Sequence, residues 1–348
     1  MTHRRATIED VASLAGVSIK TVSRVVNREP NVRATTREKV EKAIAKLEYR
    51  PNPSARNLAS HRAHLIVLVY DDMSAYEAPS AGYIIKMQEG ALRACHQEGF
   101  ELLIHPCNYR DSDVGAKLQE QIAQVRPSGI VIAAPLSNMP FIVDAVEATD
   151  TPYVLLSTGT GSGRKFEVAT NDREISAEMT RYLASLGHKR IAFIRGEKTA
   201  KAVANRFDGY KDGLKQSSLR YAKELVVQGD LSIGSGERCA EKLLQLEEPP
   251  TAIFSANDDM AAGVIRVALR NGIRIPDELS VAGCDDIALA QQIFPSLTTI
   301  RQPLSRMAHA ATQALIDASR GHPHEAGLEI VPGTIRKRES TGPTPGRS

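Results

Sequence analysis

Tryptophan is absent from the 348 residues, and aromatic residues make up only 5%. Any stacking on a ligand must therefore come from Tyr or Phe, not from an indole. Cysteine is scarce as well. Cys95, Cys107, Cys239 and Cys284 lie far apart, with no C-x-x-C spacing. That pattern gives neither a disulfide framework nor a thiolate metal knuckle, and a reducing cytosol is the simplest compartment for it. No apolar run approaches the roughly 20 residues of a membrane helix. The opening stretch MTHRRATIED has no apolar core of a secretory signal. The glycine run Gly159-Thr160-Gly161-Ser162-Gly163 lacks the G-K-[ST] ending of a phosphate loop. It reads instead as a flexible connection between two lobes. There is no G-x-S-x-G and no H-E-x-x-H, so neither a nucleophile elbow nor that zinc motif is present. No cofactor and no metal are implied.

What is present is an uneven charge. Residues 1–62 carry 13 Lys/Arg against 6 Asp/Glu, a net +7. The remaining 31 Lys/Arg and 35 Asp/Glu give −4. A basic head on a mildly acidic body points to a polyanion as the partner of the head.

The head reads as three short helices. Thr7 with Asp10 three residues on is a capping-box pattern, followed by Ile8, Val11, Ala12 and Ala15 at helical spacing. Gly16 supplies the turn. Ser18 can cap a second helix, Ile19 to Asn27, with Val22, Val25 and Val26 inward. Ile19, Lys20, Ser23, Arg24 and Asn27 share the opposite face, a side suited to base edges. Thr35-Thr36-Arg37-Glu38 predicts a second capping box, opening a third helix with Val40, Ile44 and Leu47 inward. Two helices across a glycine turn, braced by a third, make a helix-turn-helix. Pro51 and Pro53 then interrupt the chain, and Ser54–Ser60 can form a two-turn helix with Ala55 and Ala59 on a small face. Such a helix is unstable alone and needs a partner surface.

From His64 onward, apolar runs alternate with amphipathic stretches. They predict strands at Leu65–Val69, Glu101–His105, Gly129–Ala134, Tyr153–Leu156, Glu167–Ala169, Ile191–Arg195, Leu225–Val227, Ala252–Ala256 and Ser280–Gly283. Helices fill the intervals. The pattern implies two successive α/β lobes with parallel sheets and a cleft between them. Polar residues gather where strands end: Asp71-Asp72, Asn171-Asp172, Asn257-Asp258-Asp259 and Asp285-Asp286, with Arg206 opening a helix. Such groups suit a hydroxyl-rich ligand, although any one doublet also serves as a helix cap.

Residues 6–60, ATIEDVASLAGVSIKTVSRVVNREPNVRATTREKVEKAIAKLEYRPNPSARNLAS, resemble the headpiece of the lactose-repressor family of bacterial transcription regulators. The stretches LGHKRIAFIRG, NRFDGY, FSANDDMAAGVI, GIRIPDELSVAGCDDI and PSLTTIRQP resemble the family's regulatory core, which is similar to periplasmic sugar-binding proteins. The resemblance implies an α/β fold class: a small all-α helix-turn-helix head plus a two-lobed parallel α/β periplasmic-binding-protein-like core. It implies a head at 1–61 with its hinge helix at about 52–60 and an effector-binding and dimerisation core at 62–340, while the Pro/Gly-rich residues 341–348 read as a flexible tail.

The same resemblance assigns Ile19 and Lys20 as main base readers. It places Thr7, Ser18, Thr21, Ser23, Arg24, Asn27, Val32 and Thr36 around the groove. Asn52 and Ala55 lie in the hinge, and Leu58 is the wedge for the minor groove. Effector contacts carry over to Asp72, Asp172, Arg206, Asn257, Asp285 and Gln302. One position departs from the family pattern. Where many relatives place an aromatic ring before the serine of Gly229-Asp230-Leu231-Ser232, this chain has Leu231, leaving stacking to Tyr76, Tyr83 or Phe294. The expected protein is a homodimeric repressor on double-stranded operator DNA, with no membrane partner. Its effector would be a small molecule, a sugar or glycoside first and a purine or nucleoside second. A sugar-acting enzyme would need a placed acid/base pair, and turnover of the ligand would distinguish it.

Overall fold

The computed structural model describes residues 6–26, 32–49, 64–72, 81–159, 161, 163, 165–196 and 200–344. The chain separates into two compact units, Met1–Ala63 and His64–Ser348.

In the first unit, helices α1 (Ile8–Ala15), α2 (Ile19–Val26) and α3 (Ala34–Lys46) enclose one small core of Val11, Ala12, Val22, Val25, Val40 and Ala43. The capping box at Thr7 forms as the sequence predicts. The Thr7 hydroxyl accepts from the Asp10 amide at 3.3 Å, and the Asp10 carboxylate accepts from the Thr7 amide at 2.8 Å. Gly16 closes α1 at φ +66°, the left-handed region where a side chain is strained. Ser18 starts α2, its hydroxyl accepting from the Thr21 amide at 3.2 Å. The second capping box does not form. Helix α3 begins at Ala34, so Thr35 and Thr36 already lie inside its first turn, and the Arg33 carbonyl accepts from the amides of Thr36 and Arg37, both at 3.0 Å.

The second unit holds two six-stranded sheets. The first contains β1 (Leu65–Asp71), β2 (Glu101–Cys107), β3 (Gly129–Ile132), β4 (Tyr153–Leu156), β5 (Phe166–Ala169) and β11 (Gly327–Ile330). Its order is β11-β5-β4-β3-β1-β2, and every pairing is parallel. The second contains β6 (Ile191–Arg195), β7 (Val226–Gln228), β8 (Ala252–Ser255), β9 (Ser280–Asp285), β10 (Thr298–Arg301) and β12 (Thr334–Arg336). Its order is β12-β10-β9-β8-β6-β7, with only the β10–β12 pair antiparallel.

The strands β3, β4 and β8 are buried throughout, as expected for sheets covered on both faces. The covering helices are α4 (Gly82–Glu98), α5 (Val114–Val125), α6 (Pro140–Glu147), α7 (Asp172–Ser185), α8 (Lys201–Gln216), α9 (Ile233–Leu244), α10 (Asp258–Arg270), α11 (Ala288–Gln292) and α12 (Leu304–Ser319).

Two expectations about chain routing need correction. The lobes are not successive halves of the chain, because α12 and β11, near the C-terminus, return to the first sheet. Met307, Ala311 and Leu315 of α12 share a core with Ile66, Met87 and Val131. Nor does the glycine run at 159–163 connect lobes. It joins β4 to β5 within one sheet. The expected flexible tail is also partly ordered. The Thr344 amide donates to the Leu186 carbonyl at 2.8 Å, and the Thr341 hydroxyl lies 2.8 Å from that of Thr298. Residues 345–348 lie outside the described residues.

Candidate nucleic-acid face and effector cleft

The outer side of α2 is the polar face that the spacing of the sequence calls for. Val22 and Val25 are buried, while Lys20 and Arg24 are exposed and Ile19 is 47% exposed. An aliphatic side chain left in water at the start of a helix, next to a cation, can meet a thymine methyl while Lys20 reaches a guanine edge. Thr21 and Ser23 are half-buried beside them, and Ser18 is exposed. The hydroxyls of Ser18 and Thr21 lie 2.9 Å apart. Val32 and Thr36 are half-buried, and Val32 packs on the core of the head. Thr7 is committed to its cap. Asn27, Asn52, Ala55 and Leu58 lie outside the described residues.

The cleft is built at the carboxyl ends of strands from both sheets, where an open α/β sheet exposes loops and helix N-termini. A cavity of about 120 Å³ opens there. From the first lobe it is lined by Tyr70 and Asp71 at the end of β1, Tyr83 and Ile84 of α4, Ala134-Pro135 after β3 and Ser157 after β4. The second lobe supplies Ala200, Ala202, Val203 and Arg206, then Asp230-Leu231, Asn257, Asp259 and Asp285.

Arg206 is the hub of the second-lobe side, and only 5% of it is exposed. Its Nε donates to Asp172 Oδ1 at 2.8 Å, and Nη1 donates to the Ala256 carbonyl at 2.7 Å and lies 3.6 Å from Asp285 Oδ1. Arg206 does not open a helix. It sits in the second turn of α8, which starts at Lys201, and reaches the cleft from the helix body. Asn257 does two jobs with one amide. Its oxygen caps α10 by accepting from the Met260 amide at 3.1 Å, and its Nδ2 donates to the Leu231 carbonyl at 2.8 Å. That second bond holds Leu231 at φ +73°, on the cavity wall beside Gly196. The cap reading and the site reading of Asn257 are therefore compatible.

Asp285 ends β9 at φ +128° and Asp286 follows at +55°, a strained pair held from several sides. Gln302 Nε2 donates to Asp285, while Arg301 and Arg338 both donate to Asp286. Behind them Asp258 accepts from the Thr299 hydroxyl at 2.5 Å and from the Ile287 amide at 3.0 Å. Burial pushes the Asp285 carboxyl up to about 7, against the pull of Arg206. Burial likewise raises Asp172, and the Arg206 charge only partly offsets it. The Tyr83 phenol is raised by burial too, despite its 3.3 Å contact with the Ser157 hydroxyl.

Of the six effector positions taken from the sequence, Arg206, Asn257 and Asp285 line the cavity together. Asp172 and Gln302 stand one layer behind, bonded to Arg206 and Asp285. Asp72 is not among the lining residues, because β1 runs on to Asp71 and it is Asp71 that faces the cavity. The Asp72 amide instead donates to the Cys107 carbonyl at 3.2 Å. Of the candidate rings, Tyr83 lines the cavity, Phe294 is 80% exposed and is not in the lining, and Tyr76 lies outside the described residues. Sequence reasoning missed Tyr70, Ile84, Val203 and the Ala134-Pro135 turn, for which the only available signal was their position at strand ends or helix starts.

Residues 7–52 match the family described as bacterial regulatory proteins, lacI family, and residues 180–341 match a periplasmic binding protein-like domain. The chain is 31% identical over 323 residues to the HTH-type transcriptional repressor PurR of Vibrio atlanticus (strain LGP32), covering 92% of this chain and 94% of that protein. It is 30% identical over 310 residues to the probable HTH-type transcriptional repressor ExuR of Bacillus subtilis (strain 168), covering 89% and 90%. Among solved structures, the Lac repressor dimer bound to operator and the anti-inducer ONPF aligns with a TM-score of 0.77 at 27% identity, over 97% of this chain and 100% of that one. A complex of the transcriptional regulator CelR with cellobiose aligns at 0.73 and 28% identity, over 97% and 100%.

Proposed function

Because the chain belongs to the lacI family of bacterial regulatory proteins, we propose that it is a homodimeric repressor of a palindromic operator, controlled by a sugar or glycoside in its inter-lobe cleft. The family makes it a DNA-binding transcriptional regulator. The dimer, the effector class and the role of each residue are our reading.

On this reading each head takes one half-site. Ile19 and Lys20 touch base edges, while Ser18, Thr21, Ser23, Arg24, Asn27 and Thr36 hold the groove wall and phosphates. Residues 52–60 pair across the dimer as short helices, and Leu58 enters the minor groove between them. The effector alters the angle between lobes, and with it the spacing of the two hinges. It must bind the two arrangements unequally to shift them.

The observation that carries the effector reading is the cavity at the strand ends of both lobes, with Arg206, Asn257 and Asp285 converging on it. Amide, guanidinium and carboxylate are the groups that pair with adjacent hydroxyls. The likeness to a regulator solved with cellobiose favours a sugar. The likeness to repressors named PurR favours a purine or nucleoside as the second reading.

Operator affinity measured against a panel of sugars, glycosides and nucleosides, at one salt concentration, tests this. A response to a sugar supports the first reading, and a response to nucleosides alone moves the effector to the second. Operator binding that no small molecule alters would remove effector control from the proposal.

A further inference from the structure

Among the described residues, three stretches of chain pass from one lobe to the other. Thr170-Asn171 leads from β5 into α7, Gln302-Pro303 from β10 into α12, and Val331-Pro332-Gly333 from β11 into β12. The third stretch runs between the other two, because β11 pairs with β5 in one sheet and β12 pairs with β10 in the other. The ladder of the first sheet ends at Ala169, whose carbonyl accepts from the Val331 amide at 2.8 Å. The ladder of the second begins where Thr334 faces Arg301. Gly333 falls between the two ladders, and a side chain takes its amide: Gly333 donates to Asn171 Oδ1 at 2.9 Å. Space there is close. A Cβ on Gly333 would lie 3.3 Å from the Arg301 carbonyl oxygen and 3.5 Å from the Thr170 hydroxyl oxygen, one from each flanking segment.

Asn171 forgoes another bond to make this one. It stands at the N-cap of α7, where asparagine is preferred because its side-chain oxygen can accept from an amide of the first turn. Here that oxygen makes no such bond. It reaches a different crossing instead, and it also accepts from the Thr170 hydroxyl at 3.4 Å. One oxygen thus has two alternative donors, the amide of another crossing or the first turn of its own helix. The helix start also touches the cleft, since the next residue, Asp172, accepts from Arg206 Nε at 2.8 Å.

We propose that Asn171 is a positioning residue at the joint of the two lobes: its bond to Gly333 holds one interlobe angle, and exchange of that bond for the cap of α7 accompanies a second angle. Two sets of hydrogen bonds that replace one another make a joint with two preferred positions rather than a continuously soft one. The inference rests on the reading that a change in lobe angle works the switch, and the experiment separates the two.

Asparagine, aspartate and serine cap helices about equally well, but a serine oxygen sits one bond nearer the backbone. Asn171→Ser therefore keeps the start of α7 and loses the reach to Gly333, while Asn171→Asp keeps both. Hydrogen–deuterium exchange on the full chain, without ligand or DNA, reads the bond. The peptide holding Gly333 should exchange at least about threefold faster in the serine variant and at the parental rate in the aspartate variant, while the first turn of α7 does not speed up in either. Spin labels read the joint. They are placed through Glu120→Cys on α5 of the first lobe and Lys242→Cys on α9 of the second, both exposed positions, and the four native cysteines are buried. The distance distribution should broaden or split in the serine variant and keep the parental form in the aspartate variant. Parental exchange at Gly333 in the serine variant overturns the bond, and an unchanged distance distribution overturns the role at the joint. A broadened distribution, with parental affinity for a DNA duplex selected on the parent chain, supports the joint and overturns the reading that lobe angle controls the head.

Discussion

Asp285 shows how much one residue carries here. Its carboxyl lies at the end of a buried strand, in a positive-φ backbone conformation, between Arg206 and Gln302. Burial raises it to about 7 in the folded chain, whereas an unfolded aspartate titrates near ~4. Between those values the folded state holds a proton that the unfolded chain has released. Asp285 therefore contributes stability that is complete below about pH 4 and is lost as pH rises through about 7. Asp285→Asn should remove that dependence. Urea unfolding of both chains across this pH range should show the variant gaining on the parent as pH increases. Parallel curves would place the titration elsewhere. At this scale the sequence was legible where chemistry was unusual. Arg206, Asn257 and Asp285 stand out as polar groups at strand ends. Asp71 did not stand out from Asp72, because which of two adjacent carboxylates faces inward depends on where β1 stops.

At the scale of elements, close approaches decide what the helices can be. Gly90 in α4 sits against α12, and a Cβ built there would lie 2.0 Å from the Ser305 carbonyl oxygen. Helix propensity alone would favour alanine at this position by about 1 kcal/mol. The obstructing atom is backbone and cannot rotate away, so Gly90→Ala should instead destabilise the core by about 1–3 kcal/mol. Denaturant midpoints would register it, and an unchanged or higher midpoint would mean that the two helices do not cross this closely. Long elements were readable from apolar spacing, and α5, β4 and β6 begin and end where the pattern puts them. The start of α3 was not, because a Thr-x-x-Glu pattern can sit inside a first turn as easily as ahead of it. Nor did an apolar pattern reveal that α12 would join the first lobe.

At the scale of the molecule, the proposed switch depends on a segment that is weak by itself. On our reading this segment, residues 52–60, is a helix of about two turns, far below the length that is stable alone in water. On our reading, strain from the lobes of a few kcal/mol is enough to melt it, and operator affinity falls with it. Leu58→Ala should therefore lower affinity for operator DNA while leaving effector binding to the core intact. Gel-shift titrations paired with calorimetry on the same preparation would check this. Unchanged operator affinity would remove the wedge role from Leu58, which lies outside the described residues.

The basic head was settled by the sequence alone. Its capping box, its glycine turn and the polar side of α2 are local features, fixed by residues a few positions apart, and local patterns are what a sequence displays directly. The α/β character of the core was legible for the same reason. The lobes themselves were decided only in three dimensions. A chain that leaves the first sheet after β5 and returns to it through α12 and β11 joins residues more than a hundred positions apart. The cleft inherits that property. Asp71, Arg206 and Asp285 become neighbours of one cavity because two sheets end at the same place, and no spacing along the chain records it.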